Sequence, residues 1–540
     1  MKRYITSCIL LFIITIPGCT KDFNSINTDP TQATAQQFDP NNLFAAGELG
    51  CANVTEYQMY NLSCITQLLA STWSNYSGGD KYDNNIFSSN DRYFSEGYTY
   101  AGYLTSAINL AKQKDSGLYN NVIQMSRIMF VLDLQRMTDI YGDVPYFQVG
   151  QGQQGVFRPS YDAQSAIYYN MLTTLDDAIN KLDPGKPLAT GDLMYGGNIA
   201  QWKKFGYSVM LRVAMRLVKA DPATAQKYAE EAGGKTFTTI ADNAIVPMDG
   251  LHDLSTNKTA SLIHLIDFEQ IRWGKTFIDY LKNTNDPRLY SLTEKTDTGL
   301  AFNNDLTHPG LSYTIKNPAP AGSVNEVPIG MPNGYLLDSS SQSSYIRNAL
   351  NYPGSTGTGA NVSLLGNYAR PVMKVFSRKD LPLFLITYAQ TEFLLAEAAV
   401  RGWNVGGTAS GHFTNGVGAA IEALPQWDAS LTISQNDISA FVNGFPLDIS
   451  SQSNSLNQIN SQYWLTSIFD FIEAWSNWRR SGYPVLTPVN YQFNVTNGAI
   501  PRRLTYPSSE KGANPQSYQS AVQKLGGVDL PTLRVWWDKQ

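Results

Sequence analysis

Residues Thr72 to Asn85 read TWSNYSGGDKYDNN and set three aromatic rings, Trp73, Tyr76 and Tyr82, among the amide and carboxylate groups of Asn75, Asp80 and Asn84. A flat ring packs on the C–H face of a pyranose while amides and carboxylates bond its hydroxyls, and Gly78-Gly79 let the chain bend sharply around such a ligand. A second set comprises Trp273 in FEQIRWGKTFIDYL and the tyrosines Tyr335 and Tyr345 in GMPNGYLLDSSSQSSY. Trp273 is the weaker choice, because it shares a helical face with Phe277 and Tyr280, a spacing typical of a core. The expected ligand-binding set is therefore Trp73, Asn75, Tyr76, Asp80, Tyr82, Trp273, Tyr335 and Tyr345. Each ring plane is worth about 1 kcal/mol of aromatic contact, so modest affinity is expected.

Cysteine offers a different chemistry at the amino terminus, MKRYITSCILLFIITIPGC. Lys2 and Arg3 precede an apolar run, Ile9 to Ile16, that is too short for a permanent membrane span. Ile16-Pro17-Gly18-Cys19 resembles a bacterial lipoprotein box, so residues 1–18 are expected to be removed and the Cys19 thiol to carry lipid, anchoring the protein to a membrane. An ordinary secretory leader is the alternative, and both readings take the protein out of the cytoplasm. Cys51 and Cys64 remain in the body; on one straight helix they would stand roughly 19 Å apart, so only a turn between them permits a disulfide.

Other chemistries find little support. His252, His264, His308 and His412 show neither HExxH spacing nor a Cys/His cluster, and no oxygen-rich run has EF-hand spacing, so neither metal nor cofactor is expected. There is no GxSxG elbow, and Ala229 stands where a P-loop before Gly233-Gly234-Lys235-Thr236 needs glycine. Glu392 and Glu397, five apart, fall on different faces of a helix and do not form an acid pair. A lipid-anchored glycoside hydrolase would need two carboxylates about 5 to 10 Å apart, and no motif points to them. Only 16% of residues are charged, and loss of Lys2 and Arg3 takes the net charge from −5 to −7. Nucleic acid and anionic membrane faces are thereby disfavoured as partners, and an uncharged polyhydroxylated or peptidic ligand is favoured.

The elements that must position these groups are helical. Asn121 to Ile140 is apolar on nearly every side and predicts a buried helix, stopped by Gly142 and Pro145. Further helices are predicted over Tyr161 to Leu182, Ala200 to Lys219, Pro222 to Ala232, Ser261 to Leu281, Leu383 to Arg401, His412 to Leu424 and Tyr463 to Trp478. Asp221 is the expected N-cap before Pro222. Adjacent pairs have tetratricopeptide dimensions, and repeats of that kind let one chain exceed the size of a single core. The expected organisation is a leader over 1–18, a tether over 19–41 and one domain over 42–540. Within that domain the scaffold lies mainly in 42–236 and 381–480, an irregular ligand-side insertion in about 237–380, and a loop-rich part in 481–540.

Several segments together resemble the SusD/RagB-type nutrient-binding lipoproteins of Bacteroidetes, closest to the SusD-like branch. They are NTDPT at Asn27 to Thr31, DIYGDVPYF at Asp139 to Phe147, the segment from Tyr161, QWKKFGYSVMLRVAMRL from Gln201, LITYAQTEFLLAEAAVRGW from Leu385, EAWSNWRRSGYP from Glu473 and IPRRLTYPSSEKGANPQSY from Ile500. The resemblance implies an all-α tetratricopeptide-type helical-repeat scaffold with a large irregular second part. It also implies a non-catalytic protein, lipid-anchored in the outer membrane and exposed at the cell surface, that delivers oligosaccharide, or in some members peptide, to a TonB-dependent SusC-like transporter. Lys21-Asp22 resembles the acidic export signal of such lipoproteins. The shared motifs themselves read as scaffold: Asp143 should hydrogen-bond its turn, and Arg479 and Arg480 should stack on Trp475 and Trp478 and pair with a carboxylate.

Overall fold

The computed structural model describes residues 38–71, 78–83, 90–263, 271–294, 328, 330–334, 369–489, 491 and 493–540. Among these residues the chain is mostly helical, as its patterning predicts. The longer helices of the first half are α1 Pro40–Ala52, α2 Asn90–Asp115, α3 Asn120–Tyr141, α4 Gln164–Lys181, α5 Ile199–Arg216, α6 Pro222–Ala232 and α7 Lys275–Asn283. Those of the second half are α8 Tyr388–Val400, α9 Ala409–Glu422, α10 Gln435–Gly444, α11 Gln452–Thr466, α12 Phe471–Ser481 and α13 Pro515–Lys524. Each of α1 to α5 packs on the next helix, α8 packs on α9 and α11, and α11 packs on α12. This is tetratricopeptide-type stacking, in which a helix pair buries its apolar face on a neighbour.

Helix α3 is buried on almost all sides, as expected from Ile123, Met125, Ile128, Met129, Leu132 and Met137. It stops at Gly142, whose φ of 89° and ψ of −122° few side chains could adopt. Val144 then bridges Asp162, and Asp143 Oδ1 accepts the Gln164 backbone N–H at 2.9 Å, which ties the turn to the start of α4. The Asp221 carboxylate caps α6 by accepting the Thr224 N–H at 3.1 Å.

Three predicted helices are corrected. Leu383 to Ile386 is a strand, not the first turn of a helix, because Thr387 and Gln390 build a capping box that starts α8 at Tyr388. The segment from Tyr463 to Trp478 is broken after Thr466: Phe469 takes φ 69° and Asp470 caps α12 by accepting from Glu473 N. The span from Ser261 to Leu281 holds the end of a short helix, Lys258–Leu262, then a strand, Ile271–Trp273, and only after Gly274 the helix α7. A buried strand and a buried helix turn share the same apolar run, so periodicity could not separate them. The described strands form three two-stranded antiparallel pairs: β1 Leu69–Ser71 with β3 Ile271–Trp273, β2 Ala244–Val246 with β6 Leu383–Ile386, and β4 Thr293–Glu294 with β5 Arg370–Pro371. Cys51 and Cys64 are free, buried thiols.

The recurring motifs form buried ionic clamps between helices. Arg216 on α5 reaches Glu473 on α12 at 2.6 Å and Asp139 on α3 at 3.2 Å, while the Trp537 indole N–H donates to Asp139 at 2.8 Å. Arg480 grips Glu397 of α8 with two bonds of 2.6 and 2.7 Å, and Asn460 of α11 donates to the same carboxylate at 3.0 Å. Burial alone would push the Glu397 carboxyl up, yet Arg480 and Arg401 hold it well below the usual carboxylate range. Arg479 stacks on Trp475 with 3.8 Å between its guanidinium carbon and the ring centroid. It donates to the Asp139 carbonyl at 2.6 Å. The expected stacking and carboxylate pairing are thus divided between Arg479 and Arg480.

Candidate functional site

The two segments singled out for ligand contact, far apart in sequence, meet in one knot. β1 and β3 pair in the register Leu69 with Trp273, Ala70 with Arg272 and Ser71 with Ile271. Beyond β3, Gly274 N donates to Leu68 O at 2.8 Å. Residues 330–334 lie along the same strand: Met331 N donates to Trp273 O at 2.9 Å and Met331 O accepts from Lys275 N at 2.7 Å. The Asn333 amide donates to Leu69 O at 2.8 Å. The next residue, Gly334, donates its N–H to Asp80 Oδ2 at 3.1 Å. Asp80, which follows residues 72–77 in sequence, and Gly334, which precedes Tyr335, thus both belong to this knot.

Asp80 is the fastener. Its side chain is fully buried, and Oδ1 lies 2.8 Å from the Lys81 ammonium, which also donates to Ser71 O at 2.9 Å. One carboxylate thus joins the segment after loop 72–77, the end of β1 and the segment before Tyr335. Gly334 suits the crowding, since φ is +90° and a Cβ there would lie 2.0 Å from Val489 Cγ1.

Three members of the expected ligand-binding set are corrected by this geometry. Asp80 and Tyr82 are wholly buried, and burial pushes the Tyr82 phenol well up. Trp273 is 1% exposed, stacks on Phe277 at 4.3 Å, and donates its indole N–H to Leu292 O at 3.0 Å. These side chains brace the knot and offer no face to a ligand, because the second sequence segment covers the first. Cys19, Trp73, Asn75, Tyr76, Tyr335 and Tyr345 lie outside the described residues.

A third segment, from the loop-rich C-terminal part, completes the knot. Gln67 Nε2 donates to Thr487 O at 2.6 Å, and Val495 N donates to Tyr82 O at 2.8 Å. Between these ties Phe493 stands 54% exposed. Its local sequence, YQFNVTNG, carries no helical or strand period that would have marked it; only the Asn and Gly turn residues hint at a shaped loop.

Glu392 bonds His412 and Asn415, each at 3.0 Å, while Glu397 belongs to Arg480, so the two acids work apart as expected. Among the described residues no group of three or more His, Cys, Asp or Glu side chains is placed to hold a metal ion. Among the same residues no helix is long and apolar enough to cross a membrane.

The model of a SusD-like family, described as starch-binding and associating with the outer membrane, matches residues 31–507. Among solved structures, one called a chitin-binding protein shares 28% identity with a TM-score of 0.76, covering 93% of this chain and 100% of its own. A Bacteroidetes AC2a SusD-like protein shares 24% identity over the same fractions with a TM-score of 0.74. A chitin-binding SusD homologue from Flavobacterium johnsoniae shares 22%, covering 93% of this chain and 98% of its own, with a TM-score of 0.70. No protein of curated function matches the chain.

Proposed function

The chain belongs to the SusD-like family, and from that premise we propose that it captures neutral oligosaccharide at the cell surface and passes it, uncut, to a TonB-dependent SusC-like transporter in the outer membrane. The observation that carries this reading is the knot. It joins Ser71 and Asp80, on either side of residues 72–77, with Gly334, just before Tyr335, in one hydrogen-bonded unit, which supports a ligand site drawing on both sequence segments. Trp73, Tyr76, Tyr335 and Tyr345 supply the ring planes and Asn75 supplies hydroxyl recognition. A glucan or chitin-like chain fits this mixture, in keeping with the family's starch-binding description and the chitin-binding neighbours. Residues 1–18 serve as the leader, and Cys19 with residues 20–39 serves as the lipid tether, since Pro40 and Asn41 already belong to α1.

Affinity electrophoresis of the mature protein in gels holding starch or soluble chitin, beside a panel of oligopeptides, tests this. Retardation by glycan with no new reducing ends is the expected result. New reducing ends would make the protein a hydrolase, retention by peptides alone would change the cargo, and indifference to every probe would favour an adhesive lipoprotein. The anchor is tested separately: globomycin should block leader removal.

A further inference from the structure

Where the segment after α5 meets the carboxyl-terminal segment, three cations gather around one carboxylate. The Asp538 side chain is fully buried and accepts from Arg502 Nε at 2.8 Å, from Arg502 Nη2, and from Arg534 Nη1 at 2.7 Å. Arg502 is fixed on its other sides. Its guanidinium carbon lies 4.7 Å from the centroid of the Trp478 ring, and Nη2 also donates to Arg479 O at 2.7 Å. Lys219, three residues beyond α5, reaches the same place, where its ammonium makes a long bond of 3.4 Å to the Lys539 carbonyl. Burial and then the guanidinium groups of Arg480, Arg502 and Arg534 depress this ammonium, while Asp538 pulls the other way. Two neighbouring acids are committed elsewhere: Glu397 to Arg480 and Arg401, and Asp221 to its helix cap and the Tyr169 hydroxyl.

One buried carboxylate does not balance three cations, and both Lys219 and Arg534 reach solvent. Among the described residues no hydrogen bond occupies Arg502 Nη1 or Arg534 Nη2. In a chain of net charge −5 this local excess stands against its surroundings. From this geometry we infer that Lys219, Arg502 and Arg534 form a docking site for the carboxylates of an acidic segment on a protein partner. Guanidinium forks match carboxylate oxygens, and Arg502, already stacked and bonded, loses little freedom on binding. The negative remainder of the molecule repels a broad anionic sheet such as a membrane face, whereas a narrow acidic segment meets the patch alone. The inference is independent of the cargo, since it uses no residue of the knot.

Fluorescence anisotropy of a labelled hexaglutamate peptide, titrated with the mature protein in about 0.02 M and about 0.5 M salt, tests this. Wild type should bind at low salt and release the peptide at high salt. Lys219→Glu, which supplies the missing carboxylate from within the chain, should weaken low-salt binding by about 3- to 10-fold while melting no lower than wild type. Arg534→Gln should weaken it by about 2- to 5-fold. Lys112→Glu, in the last turn of α2, changes the net charge as much as Lys219→Glu and should bind like wild type. No binding by wild type, an equal loss in Lys112→Glu, or wild-type affinity in both Lys219→Glu and Arg534→Gln overturns the inference. Displacement of the peptide by an equal concentration of inorganic phosphate, or by phosphatidylserine vesicles, overturns it too, and would make the patch a site for a free anion or a membrane.

Discussion

Replacing Asp80 by alanine should untie the knot without touching the helical scaffold. Asp80 and Lys81 are both at most 1% exposed and 2.8 Å apart, so removing the carboxylate strands a buried ammonium that keeps only its remaining acceptors, Ser71 O among them. Removing one partner of such a pair costs about 3–5 kcal/mol. Gly334 N–H loses its acceptor as well, worth about 1–3 kcal/mol if it stays buried. Were the knot and scaffold to melt as one, about 500 residues at roughly 2.1 cal/mol/K each would turn the first figure into a fall in Tm of about 3–5 °C. The knot is a small unit on a large core, so most of the loss should appear as local opening. Hydrogen exchange followed by mass spectrometry should show faster exchange at 69–71, 271–273 and 331–334, with α3 unchanged. Asp80→Asn combined with Lys81→Met should recover most of the protection, because the stranded charge is gone and an acceptor for Gly334 remains. Unaltered exchange at 331–334 in the alanine variant would refute the role given to Asp80.

Glu397→Ala leaves Arg480 buried without its bidentate partner and should lower stability by about 3–5 kcal/mol, measured as a Tm decrease of about 3–5 °C by calorimetry. The Glu397 carboxyl, despite burial, is held below its ordinary range by Arg480 and Arg401. Its stabilisation is therefore present above the unfolded-state value of about 4.3 and drains away as pH falls toward the folded one. Glu397→Gln should accordingly flatten the acid limb of a Tm-against-pH curve. Asp133 titrates the other way: burial pushes it up to about 8 against the pull of Arg136, so the folded state keeps a proton that the unfolded chain releases. Asp133 thus contributes stability that is full below about pH 4 and is lost as pH rises toward 8, and Asp133→Asn should make the decline over that range shallower. Gly334→Ala, which combines φ +90° with a collision against Val489, should loosen the knot by at least about 1–2 kcal/mol, seen as faster exchange at 331–334.

The scaffold was readable from sequence wherever apolar residues wrap a helix or a cap announces it. Ile123 to Met137 marked α3 and Asp221-Pro222 marked α6, because burial on every side and an N-cap beside proline leave few alternatives. Leu383 to Ile386 and Ile271 to Trp273 misled, since an apolar run about to enter a helix resembles its first turn until a capping residue, Thr387 or Gly274, is given its due weight. α1, α2, α10 and α13 went unmarked; α2, with Tyr93, Tyr100 and scattered polar groups, shows little apolar excess. For the candidate site, composition singled out residues 72–85 and the Tyr335 segment, but nothing local could show that Asp80 would accept from Asn333 and Gly334 and so become a fastener. Segment 487–498 joins the knot only through contacts that span most of the chain, Val495 N donating to Tyr82 O and Gln67 to Thr487 O.

The central claim is that carbohydrate sits where the chain rises from the knot. A crystal structure of the mature protein soaked with a chito- or malto-oligosaccharide tests it most directly. The account predicts sugar density against residues 72–77 or the segment from Tyr335, and no cleavage of the chain. Sugar bound elsewhere on the protein, with none at these segments, would contradict it.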